Sequence, residues 1–81
     1  MKSLATLTVG QTARIVSIEG NDTLAVRLLE MGLTPGEKVA MLGVAPLGDP
    51  IEFSIRDYRI TLRANEAERI LIEDIQNLTP A

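Results

Sequence analysis

The chain has 81 residues, a net charge of -3 from 8 Lys and Arg against 11 Asp and Glu, and neither cysteine nor histidine. A chain of this size is expected to form one domain, residues 1–81, around a small core. Disulfides, thiolate metal sites, cysteine nucleophiles and histidine bases are excluded, and the scattered basic residues form no stripe of the kind nucleic-acid binders carry, which predicts no nucleic-acid partner.

Met1-Lys2-Ser3-Leu4-Ala5-Thr6 lacks the apolar run of a secretory signal, and no segment approaches the ~18 apolar residues of a membrane span. The expected location is the cytoplasm. Thr12 to Glu19 is predicted to be the first strand, rich in β-branched residues. Its apolar phase slips between Ile15 and Val16, which implies a bulge or burial of both faces.

Asp22 to Met31 has helical spacing, with Leu24, Leu28 and Met31 on one stripe. Asp22 is a suitable N-cap, and Gly32 falls where the chain must turn left-handed after the helix. Leu33 would then pack back on Leu28. Thr34-Pro35-Gly36-Glu37 fits a type II turn, with Pro35 and Gly36 at its centre.

Lys38 to Val44 is a nearly continuous apolar strand. Ala45-Pro46-Leu47-Gly48-Asp49-Pro50 is a loop. Ile51 to Arg56 alternates strictly, with Ile51, Phe53 and Ile55 on one face. Asp57-Tyr58 is expected at the centre of a tight hairpin, followed by a strand from Arg59 to Arg63. Asn65 to Arg69 makes one helical turn, Ile70 to Ile75 is the last strand, and Gln76 to Ala81 is expected to fray. This order of elements suits a small SH3-like barrel, with an OB-fold as the structural alternative.

Three stretches carry a family resemblance: Arg27-Leu28-Leu29-Glu30-Met31-Gly32-Leu33-Thr34-Pro35-Gly36, Val44-Ala45-Pro46-Leu47-Gly48-Asp49-Pro50-Ile51, and Leu62-Arg63-Ala64-Asn65-Glu66-Ala67 followed by Ile70. With Leu7-Thr8-Val9-Gly10 ahead of them, they resemble the ferrous iron transport protein A family, FeoA, over essentially the whole chain. The resemblance implies a mainly β fold: a partly open SH3-like barrel of about five strands, with one short helix after the first strand and a helical turn before the last. It implies a non-catalytic accessory protein in the bacterial cytoplasm, peripheral to the membrane only through its partner. That partner is a large permease, FeoB, whose cytosolic part is a G-protein-like GTPase domain. A related domain ends some iron-dependent repressors, but no DNA-reading helix-turn-helix precedes it here. At Asp57-Tyr58 the glycine common in the family is missing.

The candidate sites are few. Polyproline grooves are lined with aromatic side chains, and the only aromatics are Phe53 and Tyr58. Carboxylate pairs that could hold ferrous iron are Glu19 with Asp22, Glu66 with Glu68, and Glu73 with Asp74. The simpler expectation is a solvated acidic surface, with no metal and no cofactor; the alternative is a carboxylate-based iron-binding or metal-sensing protein. Serine, threonine and Tyr58 have no histidine or cysteine partner for catalysis, and Gly32-x-x-x-Gly36 lacks the Lys-Ser/Thr of a phosphate loop. Arg27 and Arg63 are candidates for an arginine acting in trans on a GTPase; their plainer partners are Glu30 and Glu66 at i+3. The expected partner surface is the loop Ala45, Pro46, Leu47, Gly48, Asp49 and Pro50 with Leu29 of the helix, both placed at one end of the barrel. Asp22, Gly32, Pro35 and Gly36 are assigned to structural turns. The chain itself is expected to be a monomer or a weak homo-oligomer.

Overall fold

The computed structural model describes residues 1–77. Six strands form one antiparallel sheet: β1 (Lys2–Ser3), β2 (Gln11–Ile18), β3 (Lys38–Val44), β4 (Ile51–Ile55), β5 (Tyr58–Leu62) and β6 (Ile70–Asn77). The order across the sheet is β1-β6-β2-β3-β4-β5, so β1 and β5 are its two open edges. Two short helices, α1 (Thr23–Glu30) and α2 (Ala64–Ala67), and a 3₁₀ turn (Leu4–Thr6) complete the chain. The mainly β architecture agrees with the sequence, with one strand more than expected. Lys2 and Ser3 pair with Ile72 and Leu71, a contact invisible in so short a segment.

Leu4, Ile15, Leu28, Leu33, Val39, Phe53, Ile55, Leu62, Ile70 and Ile72 are buried in one apolar cluster. Alternation in β4 places Ile51, Phe53 and Ile55 there. The phase slip in β2 proves to be a bulge. Two steps from Ile15 to Ser17 match one step from Ile72 to Leu71, which leaves Val16 as the surplus residue. A second surplus lies on β6, where Asp74 adopts φ +54° and the register between Thr12 and Arg14 shifts back. In β3 the surplus residue is Leu42, so Met41 faces Phe53 and Gly43 faces Glu52.

Helix α1 ends as a Schellman motif. Gly32 has φ +101°, its N–H donates to Leu29 O at 3.0 Å, and the Leu33 N–H donates to Leu28 O at 3.2 Å. Leu33 and Leu28 are both fully buried. In the next turn Gly36 has φ +92° and the Glu37 N–H donates to Thr34 O at 3.1 Å, as a type II turn requires.

Most element ends fall within one or two residues of the sequence expectation; two of the differences have a visible cause or partner. The β4–β5 hairpin is centred on Arg56-Asp57, one residue earlier than expected, because Ile55 pairs with Tyr58. Arg56 takes the left-handed conformation, φ +55°. Tyr58 is held in the strand, where its hydroxyl donates to Met31 O at 2.6 Å. At the C-terminal side, Gln76 and Asn77 do not fray; they pair with Thr12 and Gln11. Leu78 to Ala81, the rest of the expected fraying tail, lie outside the described residues.

Candidate partner-binding surface

Sheet register decides what surrounds the loop. Arg14 faces Lys38 at the start of β3, and Val44 faces Ile51 at its end. The excursion carrying α1, between Ile18 and Lys38, therefore leaves one end of the sheet. The loop Ala45–Pro50, between Val44 and Ile51, closes the other. This corrects the expectation that Leu29 and the loop share an end. Leu29 is 42% exposed, yet no residue of α1 lines either hollow beside the loop.

The loop has its own hydrogen bonds. The Gly48 N–H donates to Ala45 O at 2.8 Å, and the Ala45 N–H donates to Pro50 O at 3.0 Å. Gly48 has φ +89°, a conformation glycine adopts without a side-chain penalty. Asp49 reaches out of the loop: its Oδ1 accepts the Ala64 N–H at 2.8 Å, at the first residue of α2. Pro46 and Pro50 are exposed. Leu47, at the tip, is 97% exposed and touches no core.

Beneath the tip lies an apolar hollow of about 390 Å³ lined by Leu7, Val9, Met41, Val44, Ile51 and Ala64, among others. Val9 and Val44 are 63% and 49% exposed. Sequence reasoning missed both. Val9 sits before β2, where the Gly10 N–H donates to Met41 O at 3.1 Å and so brings it beside β3. Val44 ends an apolar strand and reads as a core residue. Only pairing partners distant in sequence reveal either. Both line the hollow, and Leu47 is a third exposed apolar side chain, next in sequence to Gly48 of its wall.

Several polar side chains elsewhere hold the fold together. The Asp22 carboxylate caps α1 by accepting the Ala25 N–H at 3.2 Å. It also takes two hydrogen bonds from Arg69, at 2.6 and 3.0 Å. The Arg69 hydrogen bond, then the Ala25 N–H, hold its pKa down at about 2. Arg56 clasps Glu37, at 2.8 and 3.1 Å, and holds that carboxyl below its usual range.

The expected i+3 pairs are replaced by a pairing between helices. Arg27 bonds Glu66 of α2 rather than Glu30, and Glu66 accepts the backbone N–H of Arg63 at 2.8 Å rather than its guanidinium. Arg27 reaches Glu66 across 39 residues of sequence, and an N–H at a helix start needs an acceptor. Of the carboxylate pairs, Asp22 and Glu66 are thus engaged by arginines, and Asp74 lies 3.9 Å from Arg14. Among the described residues no three acidic side chains converge into a metal-holding group.

A family model described as FeoA domain matches residues 2–74. The Fe(2+) transport protein A/Fe(2+) transporter FeoB fusion protein of Porphyromonas gingivalis is 38% identical over 74 residues. That match takes in 91% of this chain but only 9% of the relative, so the chain spans less than a tenth of that protein's length. FeoA of Stenotrophomonas maltophilia, solved with zinc and described as a procaryotic SH3 domain protein, has a TM-score of 0.86 at 28% identity. The match covers 98% of this chain and all (100%) of that one. Iron(II) transport protein A of Clostridium thermocellum has a TM-score of 0.83 at 44% identity, covering 88% of this chain and 44% of that one. A manganese-dependent transcriptional repressor shares the fold, with a TM-score of 0.80 at 16% identity over 89% of this chain and 40% of that one.

Proposed function

The chain belongs to the FeoA domain family, and from that premise we propose that it is a non-catalytic accessory protein of ferrous iron transport, whose loop end docks on the cytosolic part of a FeoB-type permease. The observation that carries this reading is the fused relative, in which an FeoA-like stretch and a FeoB transporter are one polypeptide. Covalent linkage keeps two modules at high effective concentration, which is useful when they work in contact. A chain without histidine or cysteine is poorly equipped for catalysis on its own. No helix among the described residues is long and apolar enough to cross a membrane, which suits a protein that meets the membrane through its partner, on the cytoplasmic side.

The contact surface follows from exposure. Leu47, Val44 and Val9 expose apolar area around a hollow that partner side chains would fill. The loop is ordered by two backbone bonds and the Asp49 bond before any partner arrives, so little ordering entropy is lost on docking.

The test is capture of the permease's cytosolic domain by this protein, with and without guanine nucleotide. Saturable one-to-one binding that Leu47→Asp abolishes is the expected result. Binding unaffected by Leu47→Asp places the contact elsewhere. The zinc in the Stenotrophomonas structure favours a second reading, metal binding through carboxylates. Anaerobic titration with ferrous iron tests it: micromolar saturation lost on replacing Glu19, Glu68, Glu73 or Asp74 would support that reading.

A further inference from the structure

A second hollow, of about 350 Å³, lies on the other flank of the loop, between Gly43, Val44, Ala45, Pro50, Glu52 and Thr61. It shares Val44 with the apolar hollow, so the two flank the same ridge. It differs in having one ionisable side chain in its wall. Glu52 projects from β4 on the face opposite Phe53, half-buried, and no Lys or Arg of the described residues reaches it within salt-bridge distance. Across the strand pair stands Gly43, put there by the Leu42 bulge. On the other side stands Thr61, a short neutral side chain.

Gly43 is not explained by the backbone. Unlike Gly32, Gly36 and Gly48 it has no positive φ. Nor is it explained by crowding, since a Cβ built there would meet nothing within 4 Å. Glycine in a strand interior costs roughly 0.5–1 kcal/mol relative to alanine. What its missing side chain does is leave the wall of the hollow open beside the Glu52 carboxylate.

We propose that this hollow receives a Lys or Arg side chain from the permease's cytosolic part, with the cation on Glu52 and the methylene stem along Val44 and Ala45. The assignment rests on the reading of the loop end as the partner surface, and it sharpens that reading. The partner segment straddles the loop, with an apolar side chain in the hollow at Val9 and Met41 and a basic one in the hollow at Gly43. A lone carboxylate at the edge of an apolar patch selects such a cation through a charge-assisted hydrogen bond, while the long aliphatic stem of Lys or Arg covers the apolar wall.

The experiment is calorimetric titration of the purified permease cytosolic domain into the full chain and three variants, each checked for its denaturation midpoint. Gly43→Val is expected to fold at least as stably as the parent, because a β-branched residue suits the strand, yet to bind about tenfold or more weakly because it fills the hollow. Glu52→Gln keeps the shape and is expected to bind about tenfold more weakly, the loss expected for one charge-assisted hydrogen bond, with a shallower dependence on salt. Leu47→Asp reports on the loop tip alone. If Gly43→Val and Glu52→Gln bind within twofold of the parent while Leu47→Asp abolishes binding, the cation pocket is wrong and the loop contact stands. If Glu52→Gln alone is neutral, the hollow is used but not by a cation, which also overturns the proposal. Weakening by Gly43→Val and Glu52→Gln with no effect of Leu47→Asp supports the pocket and removes the tip from the contact. A parent that does not bind the domain overturns both.

Discussion

The carboxylate of Asp49 accepts the backbone N–H of Ala64 at 2.8 Å, across 15 residues of sequence. Arg63, at the N-cap position of α2, has no side-chain acceptor to offer. A residue from the β3–β4 loop supplies the cap instead, and the same bond anchors that loop.

Asp49→Ala is therefore expected to lower stability by about 0.5–2 kcal/mol, the range for losing an N-cap acceptor. Asp49→Asn keeps an oxygen acceptor and should recover most of the loss. Urea denaturation of the pair checks this, and equal midpoints for Asp49→Ala and the parent would show that the bond contributes nothing.

Gly32 and Tyr58 form a coupled pair. The Tyr58 hydroxyl donates to Met31 O, and a Cβ at Gly32 would overlap that hydroxyl. Gly32→Ala should cost about 1–3 kcal/mol from the left-handed backbone and the displaced hydroxyl together. Tyr58→Phe alone should cost about 1 kcal/mol for the lost hydrogen bond. In the Tyr58→Phe background the Gly32→Ala penalty should shrink to the backbone part. Additive losses in the double-mutant cycle would contradict this coupling.

Leu47 and Leu28 have the same side chain in opposite surroundings, 97% exposed and fully buried. Leu47→Asp should change the unfolding free energy by less than about 0.5 kcal/mol. Leu28→Asp buries an unpaired carboxylate, at a cost of several kcal/mol that exceeds the margin of a small domain. Circular dichroism should show the first variant folded and the second unfolded.

Stability should fall in acid partly through Asp22. Its folded-state pKa, about 2, lies below its ordinary value of 3.8. A depressed carboxyl stabilises the fold above the unfolded pKa, and that contribution disappears as pH drops through the folded one. Glu37, lowered by Arg56, acts in the same direction. Between pH 4 and pH 2, roughly the interval between those two pKa values, Asp22→Asn should lose less stability than the parent. Parallel pH profiles would remove Asp22 from the acid response.

Much of this fold is legible in the sequence wherever the deciding interaction is local. Asp22 caps a helix three residues away, Gly32 ends it, and Pro35-Gly36 turns the chain within four residues; each rests on backbone geometry that one or two side chains impose. The alternation of Ile51, Phe53 and Ile55 announces which face is buried, because the strand period is two. The slip at Val16 announces a bulge for the same reason.

What the tertiary structure alone decided are relationships of long sequence separation. Whether Lys2–Ser3 forms a strand depends on Leu71 and Ile72. The hairpin centre depends on where Tyr58 finds an acceptor, 27 residues away. Arg27 meets Glu66, 39 residues away, rather than Glu30. The loop and the excursion that carries Leu29 leave opposite ends of the sheet because antiparallel register sends successive connections to alternate ends, and residues without a local partner carry no sign of the one they find. For that reason the sequence does not show that Val9 and Val44, on distant segments, line one hollow and stand exposed.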